Sequence, residues 1–208
     1  MTNSELSKMI KKYLIPLLGD QYSIKNNIVY KTPVSDILLG FCFERTANDK
    51  SAFYLSVFAQ PLYVPSEDFI LTFGIRLNRR KTKSEKWDSS KEVFEELASV
   101  VKTEGLGFLE NVSKPDKFCE FLKKDKSGSV RVTEAMVYSE FYCEMPEADK
   151  DAMFLLKHIR EKEDLSIGWI KEIQDNTERL LMSKKNSKEK TQAILQEWKD
   201  SSIKNLKI

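Results

Sequence analysis

Histidine is almost absent from this chain. His158 is the only one in 208 residues, so the side chain that most often serves as metal ligand or general base near neutral pH is available once. It lies in the charged segment 157–162, where a solvated helix surface is the ordinary reading. Cysteine is nearly as scarce: Cys42, Cys119 and Cys143 are odd in number, far apart and without metal-type spacing. That excludes a zinc cluster and a disulfide framework, and it fits buried thiols in a reducing compartment. No run approaches the roughly 18 apolar residues of a membrane span. The N-terminal stretch, interrupted by Lys8, Lys11 and Lys12, does not read as a signal peptide, so a cytoplasmic protein is expected. An excess of one charge sign is also missing, since 34 basic and 32 acidic residues leave a formal charge of +2. No global field therefore draws the chain to nucleic acid or to an anionic membrane.

Glycine is too sparse for a phosphate loop. Gly105 and Gly107 lack a third partner at the required spacing and a strand before them, and read as a helix break. Asp125, Ser127 and Ser129 alternate like calcium ligands, but no glutamate stands at the twelfth position and Gly128 is misplaced for the sixth. No cofactor, metal or catalytic constellation is expected, and the chain reads as a non-enzyme.

What the chain does have is alternation. Phe53, Leu55, Val57 and Ala59, then Phe69, Leu71, Phe73, Ile75 and Leu77, place apolar side chains at every second residue, the period of a pleated strand. Ile37, Leu39, Phe41 and Phe43 do the same in residues 37–46. A small hairpin is expected over residues 22–30 around Asn26 and Asn27, and the 47–50 turn should join the two following strands. Before them, Leu6, Met9, Ile10, Tyr13, Leu14, Leu17 and Leu18 form a helical stripe, with Ser4 as cap, Gly19 as stop and Pro16 as a kink. The expected fold is α+β: an N-terminal helix on an antiparallel sheet of about four strands, followed by a mostly helical C-terminal half.

Residues 1–78 thus form a sheet unit. Residues 79–91, rich in charge, read as a linker or loop, and residues 92–208 as a helical unit packed on the sheet or continuous with it. Ser113 with Pro115, Thr133, Asp164 and Ser187 are the expected starts of C-terminal helices. The basic run from Arg76 to Lys86 is interrupted by Glu85 and followed by Glu92, Glu95 and Glu96, with only Trp87 to stack a base, which argues against a nucleic-acid surface.

The second face of the sheet is the candidate site. Glu44, Tyr54, Gln60 and Arg76 should share it with Cys42, Ser56, Phe58 and Thr72, giving a charged pair, a phenol and an amide around an apolar floor. The competing expectation is that helices cover this face and that Glu44 simply pairs with Arg76. In the proline-bounded loop 61–68, Tyr63 is either an aromatic anchor for a partner or a packed loop residue. Arg76 with Arg79 is the pair expected to hold an anion if the chain instead binds a small molecule or nucleotide between sheet and helices.

The stretch FYLSVFAQPLYVPSEDFILTFGIRL over residues 53–77, together with LIPLLG at the end of the first helix, resembles uncharacterised bacterial proteins known only as a domain of unknown function. It is also loosely similar to a broader group of small α+β proteins, some of which are regarded as immunity proteins to polymorphic toxins. The similarity covers roughly residues 1–110, and its specific part is QPLYVP followed by a strand ending in FGIRL. The resemblance brings no catalytic residues. It implies a bacterial, protein-binding inhibitor that acts by occluding a partner protein of unstated identity.

Overall fold

The apolar stripe of the first segment does form a helix, and its irregularity sits where the proline requires one. The structure, a computed structural model, describes residues 3–46, 49, 52–88 and 90–208. Helix α1 (Asn3–Met9) widens into a π-helical turn (Ile10–Leu14) and resumes as α2 (Ile15–Leu18). Pro16 cannot donate to the preceding turn, and the wider turn ends just before it. Gly19 stops the helix at φ +82°, a conformation that costs glycine little. The side chain of Ser4, the expected cap, lies outside the described residues.

The sheet has six strands among the described residues rather than about four. Strands β1 (Tyr22–Lys25), β2 (Ile28–Lys31), β3 (Ile37–Arg45), β4 (Ala52–Pro61) and β5 (Gly74–Arg76) follow in spatial order. Strand β6 (Lys86–Asp88) pairs with the first half of β4, Phe53 opposite Trp87, while β5 pairs with its second half, Val57 opposite Ile75. These pairings are antiparallel, as are β1–β2 and β2–β3. The 47–50 turn expected between β3 and β4 lies outside the described residues apart from Asp49.

Two expectations change at β5 and β6. The strand expected over residues 69–77 is regular only at its end, and Ile75, read as core, is 43% exposed. Residues 79–91, expected as a charged linker or loop, contain β6. Trp87 is fully buried there, and its indole Nε1 donates to Leu77 O at 2.9 Å. One buried indole with a satisfied N–H anchors a segment that has almost no other apolar content.

The chain divides into two compact units, and the division does not follow the end of the sheet. One unit comprises Met1–Gln60 and Leu71–Ser113; the other comprises Pro61–Ile70 and Lys114–Ile208. In the first, one face of the sheet carries Phe41, Phe43 and Phe53, and Phe53 meets Phe94 of α3 (Lys91–Val100) at 5.8 Å. Tyr13 closes on the same ring at 5.3 Å. Gly105 does not break the helix. The chain continues through a π-helical turn (Val101–Gly105) into α4 (Leu106–Asn111). A Cβ at Gly105 would lie 2.6 Å from the Phe41 ring, so glycine is what lets the helix settle on the sheet.

The second unit holds α5 (Pro115–Leu122), α6 (Val130–Tyr142), α7 (Ala148–Lys162), α8 (Gly168–Asn186) and α9 (Lys188–Leu206). Ser187 caps α9 by accepting from Lys190 N. Thr133 and Asp164, expected as starts, fall elsewhere: Thr133 lies inside α6 and donates back to Ser129 O, and Asp164 accepts from Ser166 N in the turn before α8. Tyr138 of α6, fully buried, contacts Trp198 of α9 at 5.4 Å and bonds to Ile173 O and Thr177 of α8. No helix among the described residues is long and apolar enough to cross a membrane.

Candidate functional site

The expected sheet face is only partly a surface. Strand β3 is buried at every position from Ile37 to Phe43, and on the supposedly open face Leu38, Cys42, Ser56 and Phe58 are all buried. Alternation marks the more apolar register, but Leu38, Cys42 and Phe58 make the other register apolar too, the composition of strands covered on both sides. Gln60 is buried as well, at 1% exposure.

Three of the expected residues do come together at the rim of that face. Arg76, on β5, donates to Glu44 Oε2 at 2.9 Å, and its guanidinium sits 4.4 Å from the centre of the Tyr54 ring. Register explains this, because Arg76 is opposite Ser56, one step along the same face from Tyr54. The guanidinium is therefore held by an anion on one side and a π-face on the other. Both charged side chains keep about a third of their surface in water, at 33% for Arg76 and 37% for Glu44. Nearby, Cys42 is no nucleophile: burial first, and Glu44 second, push its thiol up to about 12.

Arg79 is elsewhere and otherwise engaged. It bonds Glu96 of α3 through Nε and Nη2, at 3.2 and 3.1 Å, and reaches Asp88 at 3.4 Å. Burial alone would raise the Glu96 carboxyl, but the Lys81 amide and the Arg79 guanidinium outweigh it and hold the group below its ordinary value. Arg80 pairs in the same way with Glu104 at 3.0 Å. Arg76 and Arg79 thus serve two separate sets of carboxylates, and they do not form the anion clamp expected of them.

Tyr63 is a packed residue. It is fully buried in the helical unit, its hydroxyl 2.8 Å from Ser139 Oγ and its ring stacked on Tyr142 at 4.3 Å. Burial drives its phenol far above the ordinary range. The segment around it is pinned too: Ser202 of α9 donates to Val64 O, and Asn205 to Ser66 O. Prolines at 61 and 65 do end the strand, but the loop they bound is part of a core.

The helical unit also holds buried charge that the sequence did not announce. Glu140, with no exposed surface, lies 3.2 Å from Lys123 Nζ in an ion pair that lacks hydrogen-bond alignment. Lys123 is held chiefly by Glu147, at 2.6 Å. Burial accordingly outweighs the lysine at Glu140 and raises its carboxyl to about 7. Glu134, buried at 2% exposure and bonded to Arg131 at 3.0 Å, is likewise raised to about 7, first by burial. Cys119 beside this cluster is pushed up to about 12 by burial. His158, half-buried on α7, faces Glu163 at 3.3 Å. Among the described residues, no group of three or more histidine, cysteine, aspartate or glutamate side chains is placed to hold a metal ion.

A cavity missed by the sequence lies in the first unit, between the opening helix and the first strands, with a volume of about 870 Å³. Lys8, Lys11 and Arg45 line it. The two lysines were legible as residues off the apolar stripe, but their convergence with Arg45 was not. Compared with family models, with curated proteins and with solved structures, the chain matches none.

Proposed function

We propose that this chain is a non-enzymatic, protein-binding protein whose contact surface is the rim of the sheet around Arg76. The observation that carries this reading is the fixed guanidinium: Arg76 is braced by Glu44 and Tyr54, part-exposed, on a strand that also presents the exposed Ile75. Arginine, tyrosine and an aliphatic residue, already ordered before a partner arrives, lose little entropy on docking. Strand β5 is the last in the spatial order of the sheet. The residues flanking it, Phe73 and Leu77, bond inward to Ala59 and Leu55, so the backbone groups of Gly74 and Arg76 point away from β4. A partner strand has a short template there. In the finer form of this reading the protein is an inhibitor of the immunity type, covering the active surface of a toxin. Tyr63, Gln60 and Arg79 have no part in that surface.

The test is reconstitution with a partner captured stoichiometrically by the tagged protein from a lysate of its own source. Tyr54→Ala combined with Arg76→Ala should weaken that complex by about 100-fold or more, the scale of a hot-spot loss, while the thermal midpoint hardly moves. Undiminished binding by the double variant would overturn the proposal, and so would a midpoint that collapses together with binding.

A further inference from the structure

We infer that the turn between α7 and α8 is a docking site for a basic amphipathic segment of a partner protein. This surface shares no residue with the Arg76 rim and goes beyond the role proposed for that rim. Large apolar side chains are normally buried on folding, yet Leu165, Ile167 and Trp169 stand at 41%, 40% and 41% exposure within five consecutive positions. Residues 164–169 are exposed throughout. Large apolar groups clustered in water, rather than scattered singly, mark a contact surface.

The turn is held in shape before any partner arrives. Asp164 accepts from Ser166 N at 2.9 Å through its carboxylate and from Ile167 N at 3.1 Å through its carbonyl. The Arg131 guanidinium lies 4.6 Å from the centre of the Trp169 ring, and Arg131 bonds in turn to the buried Glu134 at 3.0 Å. Tryptophan and arginine are the side chains that most often anchor protein interfaces, and a ring already fixed loses little entropy on docking.

Charge selects the partner. Residues 161–175 carry five acidic side chains against Lys162 and Lys171. Two of the five, Glu161 and Glu163, face Lys157 and His158. The other three, Asp164, Glu172 and Asp175, are exposed and make no ion pair among the described residues. Glu172 follows Trp169 by three positions and so shares its side of α8; it also stands close enough to Glu134 to help raise that carboxyl. Lys171 lies about 200° round the helix from Trp169 and points elsewhere, while Arg131 is matched by Glu134. An apolar centre with an acidic border complements a segment that presents apolar side chains flanked by lysine or arginine. The same border repels an anionic membrane.

The test titrates the full chain with a synthetic peptide of leucine and lysine spaced as an amphipathic helix, at about pH 8, where Glu134, raised to about 7, is ionised. Trp87 and Trp198 are buried, so the emission of Trp169 should shift to the blue and become shielded from acrylamide as the peptide saturates one site. Calorimetry should show Leu165→Ser with Ile167→Ser weakening binding by about tenfold or more, with the thermal melt unchanged because both side chains are exposed. Met182→Ser, at an exposed methionine far along α8, should leave binding intact. Lack of saturation, equal binding of a leucine–glutamate peptide, or an equal loss in the Met182 variant would overturn the inference. So would the same Trp169 shift with vesicles of anionic phospholipid, which would assign the turn to a membrane surface.

Discussion

Tyr63 carries a phenol that is fully buried, bonded to Ser139 and stacked on Tyr142. As a core residue it should report on stability rather than on binding. Tyr63→Phe removes one buried hydroxyl from Ser139, which keeps its own bond to Ala135 O, and should cost about 1 kcal/mol in urea denaturation. Tyr63→Ala opens a cavity and should cost about 3–5 kcal/mol. A Tyr63→Ala variant with an unchanged urea midpoint would show that the ring is not packed as described. Glu140 makes a different prediction, on pH. Its carboxyl is raised from 4.5 to about 7 in the folded chain, so the folded state binds the extra proton between those values. Stability should therefore fall as pH rises from about 4.5 to about 7 and level off above, with Glu134 contributing in the same direction. Glu140→Gln removes its share of that loss. It should be about 1–3 kcal/mol more stable than the parent near pH 8 and no different near pH 4. A constant difference across that range would mean that the carboxyl is not protonated on folding.

At the scale of elements, the helix running from α3 to α4 depends on one glycine and not on its neighbour. Gly105→Ala places a methyl 2.6 Å from the buried Phe41 ring and should cost about 1–3 kcal/mol through overpacking. Gly107→Ala meets open space and should stabilise the helix by about 0.5–1 kcal/mol, since alanine is the better helix former. Paired thermal melts decide the matter, because equal effects at both positions would contradict the close approach of helix and sheet. Strand β6 is the converse case. Three residues, Lys86–Asp88, form a strand inside a charged run because Trp87 opposite Phe53 supplies burial that no local pattern announces. A strand that short has no period to read.

At the scale of the whole molecule, the segment Pro61–Ile70 belongs with the C-terminal helices although it lies between two stretches of the sheet unit. Leu62, Tyr63 and Val64 are buried at 0%, 0% and 2% exposure. At roughly 1.5–3 kcal/mol for each buried side chain, their removal costs an amount comparable with the roughly 5–15 kcal/mol that stabilises a typical domain. Residues 114–208 expressed alone should therefore melt without a sharp transition and bind a hydrophobic dye, and fusing residues 61–70 back should restore cooperativity. A fragment of 114–208 that unfolds as sharply as the full chain would refute this division.

Much of this was legible along the chain. The helical stripes, the stop at Gly19, the cap at Ser187 and the tight turn at Asn26, whose φ is +55°, follow from steric preferences and spacings within a few residues. The α+β class follows from the switch between periods of two and 3.6. What the tertiary structure alone decided depends on residues far apart in sequence. Arg76 meets Glu44 across 32 positions, Tyr63 meets Ser139 across 76, and Lys8 and Lys11 face Arg45 across a cavity. Local pattern states which side chains prefer to be buried or solvated. Whether a given arginine finds a carboxylate, or a tyrosine finds a core, depends on which distant surface the folded chain brings to it.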